Sequence, residues 1–200
     1  MNQNPVVLAI TGASGVIYGQ RLLEVLLAND VEVHLTISDS AQLVVKHELG
    51  LELDLNDFQI DQLLPEYSGT MTLAYHDNKD FMAPIASGSH KTRGMVVCPC
   101  SGSTLSGIAT AASRNLIQRA ADVHLKEGRR LILVPRETPL SLIQMDNMRT
   151  ACAAGATILP ASPGFYQTAE SVNDLVDFVV ARILDQIDVD HELGCRWGSE

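Results

Sequence analysis

The sequence predicts a single-domain α/β fold, in which strands and helices alternate around a doubly wound parallel sheet. Two observations support this prediction. Short, continuously apolar runs, typical of strands buried on both faces, are followed by segments with apolar residues at helical spacing. The runs end in turns rich in glycine, proline and hydroxyl residues. Because right-handed crossovers join such units, consecutive strands lie parallel in one sheet.

Composition limits the classes of function. The 200 residues, 46% of them hydrophobic, suffice for one domain over 1–200, with a core over about 5–187 and a polar tail over 188–200. A net charge of −10 argues against a nucleic-acid or anionic-membrane surface. No apolar run approaches the ~20 residues that span a bilayer, and no signal peptide opens the chain. We therefore expect a cytoplasmic protein.

The titratable residues show no metal-site spacing. The six histidines form no HExxH pattern, so we expect no metal. The four cysteines lack the spacing of a disulfide framework or a zinc site and are interpreted as reduced thiols: Cys98, Cys100, Cys152 and Cys195.

The first unit is a strand over Pro5–Ile10, a turn over Thr11–Gly15, and a helix that begins near Val16. Glycines at positions 12, 15 and 19 do not match the G-x-G-x-x-G dinucleotide fingerprint. The turn still aims backbone N–H groups and the positive end of a helix dipole at one point. An anion can bind there.

The central unit has the same form. An apolar strand over Met95–Cys98 stops at Pro99, and a helix with Leu105 and Ile108 on its apolar face follows the turn. The hydroxyl residues of this turn fit two roles, as N-caps or as anion ligands: Ser101, Ser103 and Thr104.

The remaining strands are expected over 31–37, 71–75, 131–134 and 156–159, and the remaining helices over 41–49, 113–126, 140–153 and 171–187. Ser38 follows the second strand, where either an N-cap or a ligand contact is expected. Arg136 and Glu137 follow the strand over 131–134. Residues 76–93 are predicted to form an exposed, functional loop.

Polar side chains therefore follow four strands, and parallel strands bring their carboxyl ends to one edge of the sheet. These side chains are Ser14, Ser38, Ser101 to Thr104, and Arg136. We expect a Rossmann- or flavodoxin-like three-layer sandwich with a phosphorylated planar cofactor along that edge.

Six motifs, in order over residues 5–198, together resemble the UbiX/Pad-type flavin prenyltransferases. The motifs are Thr11–Gly15, Cys98–Ser101 with Thr104 and Leu105, Arg119–Val123, Leu125–Glu127, Val134–Pro139 and Pro163–Tyr166. Four positions depart from the pattern. Ala111 stands where the family generally has glycine, Arg114 where a small polar or acidic residue is common, Gln167 in place of a frequent histidine, and Phe81 where some members carry tryptophan.

The resemblance implies transfer of a dimethylallyl group from dimethylallyl phosphate to N5 and C6 of reduced FMN, without a metal. The prenylated FMN would serve a UbiD-type decarboxylase, in ubiquinone synthesis or aromatic acid metabolism. A homo-oligomer, a dodecamer, is also implied, with the prenyl site near a subunit boundary.

Two other functions are alternatives to this one, a flavin-dependent decarboxylase of the same fold and a non-catalytic FMN carrier. The decarboxylases carry a Pro-Ala-Ser-Ala-Asn-Thr loop where this chain has Cys98–Thr104. An FMN carrier would not need the residues assigned below to prenyl phosphate and proton transfer.

The same resemblance implies the role of each residue. FMN would be held by Gly12, Ala13, Ser14, Ser38, Ser101, Gly102, Ser103, Thr104 and Arg136. The prenyl phosphate would be bound by Lys126, Arg136, Tyr166 and Arg182, with Arg119 nearby. Glu137 would move protons, and the further catalytic residues would be Glu48, Lys126, Arg119 and Ser14.

Overall fold

The computed structural model describes residues 4–69, 73–165 and 169–194. Within these residues, six parallel strands form one sheet in the order β3-β2-β1-β4-β5-β6, which confirms the predicted fold class. The strands are β1 Val6–Ile10, β2 Val33–Ile37, β3 Leu73–Tyr75, β4 Gly94–Cys100, β5 Leu131–Pro135 and β6 Thr157–Ile158.

Helices cover both faces of the sheet. They are α1 Val16–Ala28, α2 Asp39–Leu49, α3 Ile60–Leu63, α4 Gly102–Ala109, α5 Leu116–Lys126, α6 Leu142–Ala153 and α7 Val172–Gln186. Alternate residues of the strands point into two cores, one shared with α1, α2 and α7 and the other with α4, α5 and α6. The result is a three-layer sandwich. No helix in the described part of the chain is long and apolar enough to cross a membrane.

The central strand does not stop before Pro99, as the sequence predicts, but continues to Cys100. The pairing of β4 with β5 slips between Val97 and Cys100, so Pro99 lies where the ladder is interrupted and no N–H is required of it. The following turn therefore begins at Ser101 rather than at Cys100.

The predicted thiols Cys98 and Cys100 are part of the core. Both side chains are buried, and burial raises the pKa of each thiol, to about 12 for Cys100. They pack as small apolar side chains and remain protonated at neutral pH.

The predicted exposed loop over 76–93 is partly buried, which corrects the sequence interpretation. Ala83 and Ile85 pack into the core, and a short 3₁₀ turn over Pro84–Ala86 lies against α5. Phe81 and Met82 remain exposed, Met82 at 92%. The segment is therefore anchored at its centre and exposes an apolar tip.

The helix predicted from residue 113 begins at Leu116, after the N-cap Asn115. The residues before it form a tight turn in which Ala111 (φ 51°) and Ser113 (φ 46°) adopt the left-handed region. Glycine enters this region at little cost. The glycine that the family generally carries at position 111 would therefore fit the backbone better than alanine.

His124 is a buried histidine of the core that titrates abnormally. Its Nδ1–H donates to the carbonyl of Ala120 (2.7 Å), so Nε2 accepts from the hydroxyl of Thr92 (2.7 Å). The pKa of the ring is lowered to about 4, mainly by burial and also by the charge of Arg129, while the hydrogen bond to Ala120 opposes the shift. The folded protein therefore holds this ring neutral.

We expect the free energy of unfolding to fall as the pH drops from 7.5 to 5. In that range unfolded histidine binds a proton below about pH 6.5, whereas folded His124 does not, so acid favours the unfolded state. The loss attributable to this ring is about 2 kcal/mol at pH 5. Urea unfolding at a fixed protein concentration would show this loss in the wild type and a smaller one in His124→Gln. Equal losses in the two proteins would contradict the prediction.

Candidate active site

Two turns meet at the carboxyl edge of the sheet, where the strand order reverses between β1 and β4. Thr11, which directly follows β1, is fully buried. Its hydroxyl donates to the carbonyl of Pro99 (2.7 Å) and accepts from the backbone N–H of Ser101 (2.8 Å). One side chain therefore sets the spacing between the turn after β1 and the turn after β4.

A cavity of about 510 Å³, here called the switch-point pocket, opens between these turns. Its position at the reversal of the strand order is where open α/β sheets bind ligands. Eight residues named from the sequence line it together: Gly12, Ala13, Ser14, Ser101, Gly102, Ser103, Arg136 and Glu137.

Glu48 caps the N-terminus of α1. Its two carboxylate oxygens accept from the backbone N–H of Gly15 (2.9 and 3.2 Å), and one of them also accepts from that of Val16 (3.2 Å). Gly15 has φ 98°, a conformation that favours glycine. Two of the N–H groups that the sequence offers to an anion therefore bind this carboxylate instead.

The N-terminus of α4 faces the pocket. Ser101 is its N-cap, with the side chain accepting from the N–H of Thr104 (3.3 Å). The Ser101 hydroxyl also lies 3.2 Å from that of Ser103 and 3.0 Å from that of Thr104. Thr104 is buried behind Ser101 and does not line the pocket.

Ser38 is also an N-cap and lies beside the pocket rather than in it. Its hydroxyl accepts from the N–H of Ala41 (3.2 Å) and lies 3.1 Å from that of Ser40. Ser40 packs so closely on Gly12 that a Cβ there would lie 2.5 Å from the Cβ of Ser40. Glycine at position 12 therefore lets the turns after β1 and β2 touch.

Arg136 and Glu137, directly after β5, form one wall of the pocket. The Nε of Arg136 donates to the carbonyl of Ser14 (3.1 Å), which fixes the side chain across the first turn. The carboxylate of Glu137 accepts from the N–H of Thr138 (3.2 Å) and from the side-chain amide of Gln144 (3.3 Å). This pair places a cation and a carboxylate side by side on the pocket wall.

The other predicted cations lie elsewhere in the chain. Only four residues separate Lys126, the end of α5, from the start of β5, so Lys126 lies at the amino edge of the sheet, opposite the pocket. Arg182 lies near the C-terminal end of α7. Just after this helix, Asp188 forms an ion pair with Arg130, the residue immediately before β5. Arg119 is on α5 and donates to the carbonyl of Ala86 (3.1 Å). Tyr166 is outside the described residues.

Each of these cations contacts a carboxylate on or next to its own helix. Arg119 pairs with Asp122 (2.9 Å), Arg182 pairs with Asp185 (2.8 Å), and Lys126 pairs with Glu127. Exposed pairs of this kind contribute little to stability. Breaking such a pair therefore costs the fold little free energy.

Four pocket residues were not named from the sequence: Ser106, Ile143, Gln144 and Asn147. Three of them lie on α6, whose N-terminus is a capping box formed by Ser141 and Gln144. The spacing Ser-x-x-Gln is visible in the sequence and would have located the start of this helix. Among the described residues, no three His, Cys, Asp or Glu side chains are grouped to hold a metal ion.

We expect Thr11→Val to destabilise the fold by about 1–3 kcal/mol, because it leaves the N–H of Ser101 without its acceptor. FMN affinity should fall as well, because the two turns lose their common anchor. Thr11→Ser keeps the hydroxyl and is the matched control. Urea unfolding and fluorescence titration with FMN measure the two effects, and equal behaviour of the valine and serine variants would contradict the assigned role.

Known proteins with similar sequences and structures identify the family. The Flavoprotein family model matches residues 1–184. Flavin prenyltransferase UbiX of Halalkalibacterium halodurans is 49% identical over 191 residues, which is 96% of this chain and 92% of the relative.

Two solved structures are also similar over nearly the whole chain. AnUbiX (PadA1), in complex with FMN and dimethylallyl pyrophosphate, is 39% identical with a TM-score of 0.87, covering 100% of both chains. A dodecameric FMN-dependent UbiX-like decarboxylase from Escherichia coli O157:H7 is 38% identical with a TM-score of 0.85, covering 98% of this chain and 100% of the other. The chain belongs to the UbiX flavin prenyltransferase family of flavoproteins.

Proposed function

We propose that this chain joins the dimethylallyl group of dimethylallyl phosphate to N5 and C6 of reduced FMN. The observation that carries the proposal is the switch-point pocket, which gathers eight residues that the resemblance assigns to FMN and proton transfer. The complex of AnUbiX with FMN and dimethylallyl pyrophosphate supports FMN and a dimethylallyl donor as the substrates here. Product formation with the phosphate and with the pyrophosphate, followed by mass, tests the choice of donor.

The pocket suits a phosphorylated planar ligand. The eight-residue helix α4 directs its N-terminus, with the Ser101 and Ser103 hydroxyls, towards the cavity, and such a helix end favours a phosphate. Gly12 and Gly102 leave the pocket wall without side chains. Arg136 adds a positive charge beside the first turn. We assign Gly12–Ser14 and Ser101–Thr104 to the FMN phosphate, while Ser38 and Thr104 support these turns from behind.

Cleavage of the allylic C–O bond leaves a phosphate anion, which arginine and lysine side chains stabilise without a metal. We assign this role to Lys126, Arg136 and Arg182, with Arg119 beside them, and Tyr166 completes the set. Lys126 lies at the far edge of the sheet from Arg136. The five-residue strand β5 runs from the edge near Lys126 to the edge near Arg136 and spans about 16 Å. We therefore infer that the two do not meet on one substrate within one chain, and that a second copy supplies Lys126 to the pocket.

Apolar side chains on the surface support this assembly. On α6, Leu142 and Ile143 are 70% and 74% exposed, and Ile143 lines the pocket. Phe81 and Met82 are exposed on the 76–93 segment, whose Ala86 carbonyl accepts from Arg119. Exposed apolar residues next to functional groups are typical of subunit contacts. We propose a homo-oligomer in which these surfaces meet, a dodecamer like the E. coli relative.

The product would pass to a UbiD-type decarboxylase, because a prenylated flavin is useful only to an enzyme that binds it. We propose a cytoplasmic location as well, because the cysteines lack the spacing of a disulfide framework. The recipient decarboxylase rests on the resemblance, and both points form part of the proposal.

Glu137 is the proposed base. Bond formation at C6 releases a ring proton, and the carboxylate of Glu137 lines the pocket in which the flavin would lie. The departing phosphate is the other base available. Glu48, which caps α1, acts in this proposal by holding the turn over Gly12–Gly15 in place, and Ser14 contributes the carbonyl that orients Arg136.

Glu137→Gln should make prenylated FMN at least about 100-fold more slowly than the wild type, because it keeps the shape but not the base. The reaction is followed anaerobically by product mass, with reduced FMN and dimethylallyl phosphate. Both substrates should bind the variant normally, since the pocket is otherwise intact. Wild-type turnover in this variant would leave the departing phosphate as the base.

Assembly from two copies predicts complementation. Lys126→Ala and Glu137→Gln should each abolish turnover alone, yet equal co-expression should restore about a quarter of the wild-type rate. In a random mixture one pocket in four combines an intact Glu137 from one copy with an intact Lys126 from its neighbour. Intact-assembly mass spectrometry verifies the mixing, and each variant mixed with itself is the control. Mixed assemblies without activity would show that both residues act within one chain.

A further inference from the structure

Gln144 links the start of α6 to the pocket wall. Its side-chain carbonyl Oε1 accepts from the backbone N–H of Ser141 (2.9 Å), and its own backbone N–H donates to the hydroxyl of Ser141 (3.2 Å). Its Nε2 lies 3.3 Å from the carboxylate Oε2 of Glu137. One side chain thus takes part in a helix cap and in a hydrogen bond to the proposed base.

The helix cap determines which end of the amide faces Glu137. A flipped amide would direct its NH₂ group at the N–H of Ser141, donor against donor, and its oxygen at the carboxylate, acceptor against acceptor. The capping box therefore fixes Nε2 as the group that meets Glu137. Glycine at position 102 leaves room for the Gln144 amide, because a Cβ at that position would lie only 3.2 Å from Nε2.

The carboxylate of Glu137 receives one donor on each oxygen, the N–H of Thr138 on Oε1 and Nε2 of Gln144 on Oε2. These two donors restrict the rotation of the carboxylate, which holds it in one place on the pocket wall. The capping box alone would not have this effect.

We propose that Gln144 is a positioning residue, whose cap-oriented amide holds the carboxylate of Glu137 in a fixed position on the wall of the switch-point pocket. This inference rests on the proposed function, because it assigns Gln144 a part in the proton transfer of that reaction. Gln144 itself touches no reacting atom in this account and acts through Glu137.

The two bonds of Gln144 can be separated by substitution. Gln144→Glu keeps an oxygen acceptor for the N–H of Ser141, so the cap remains, but it brings a second carboxylate against Glu137. Gln144→Ala removes both bonds. Ser141→Ala removes the hydroxyl cap and keeps the N–H that orients Gln144, so it serves as the matched structural control.

The test measures prenyl transfer between pH 5.5 and 8.5, together with FMN affinity and melting temperature. In Gln144→Glu the acid limb of the rate profile should move up by about one pH unit, because like charge favours protonation of Glu137. Gln144→Ala should lower kcat about tenfold with little change in KM. Ser141→Ala should keep the rate and lose about 2–4 °C in melting temperature.

The outcomes distinguish this inference from the proposed function. If Glu137→Gln loses activity and the rate profile of Gln144→Glu coincides with that of the wild type, the positioning role of Gln144 is wrong and Glu137 remains the base. If Glu137→Gln turns over normally, both assignments fail. An equal loss of rate in Ser141→Ala and Gln144→Ala would show that Gln144 acts only by capping α6, and the positioning role would be wrong.

Discussion

The pocket depends on a buried hydroxyl between two strands that are distant in sequence but adjacent in the sheet. Thr11 bonds to Pro99 and Ser101 across 88 and 90 positions of the chain. Those bonds keep the turns after β1 and β4 at a fixed separation, so the helix ends that follow them converge on the same cavity. A buried group with two partners is costly to disturb, which makes this spacing rigid. Gly12 and Arg136 complete the walls of the pocket beside these turns.

Charge is divided between the two edges of the sheet. Arg136 and Glu137 lie at the carboxyl edge with the pocket, whereas Lys126 and its partner Glu127 lie at the amino edge. The topology imposes this division, because a crossover helix returns the chain to the edge from which the next strand begins. In the proposed reaction, Lys126 would therefore reach the pocket of another copy of the chain rather than its own.

The sequence predicts the sheet well because its strands are uniformly apolar and its turns are rich in glycine and hydroxyl residues. Prediction fails where a contact is distant in sequence. Neither the continuation of β4 through Pro99 nor the capping of α1 by Glu48, 33 positions away, leaves a local signal. Gln144 combines both cases. Its capping box with Ser141 is a local pattern that the sequence shows, whereas its hydrogen bond to Glu137 depends on the turn between β5 and α6.

The ends of the sheet also constrain how copies of the chain can join. At one end, β6 consists of only Thr157 and Ile158, too short to pair stably with a strand of another molecule. This edge therefore offers few unpaired backbone groups to a strand of another molecule, and a fibre has little to grow from there. Association is left to the helical layers, where Leu142 and Ile143 are exposed. A chain built in this way can form closed assemblies at high concentration while its strand edge resists aggregation.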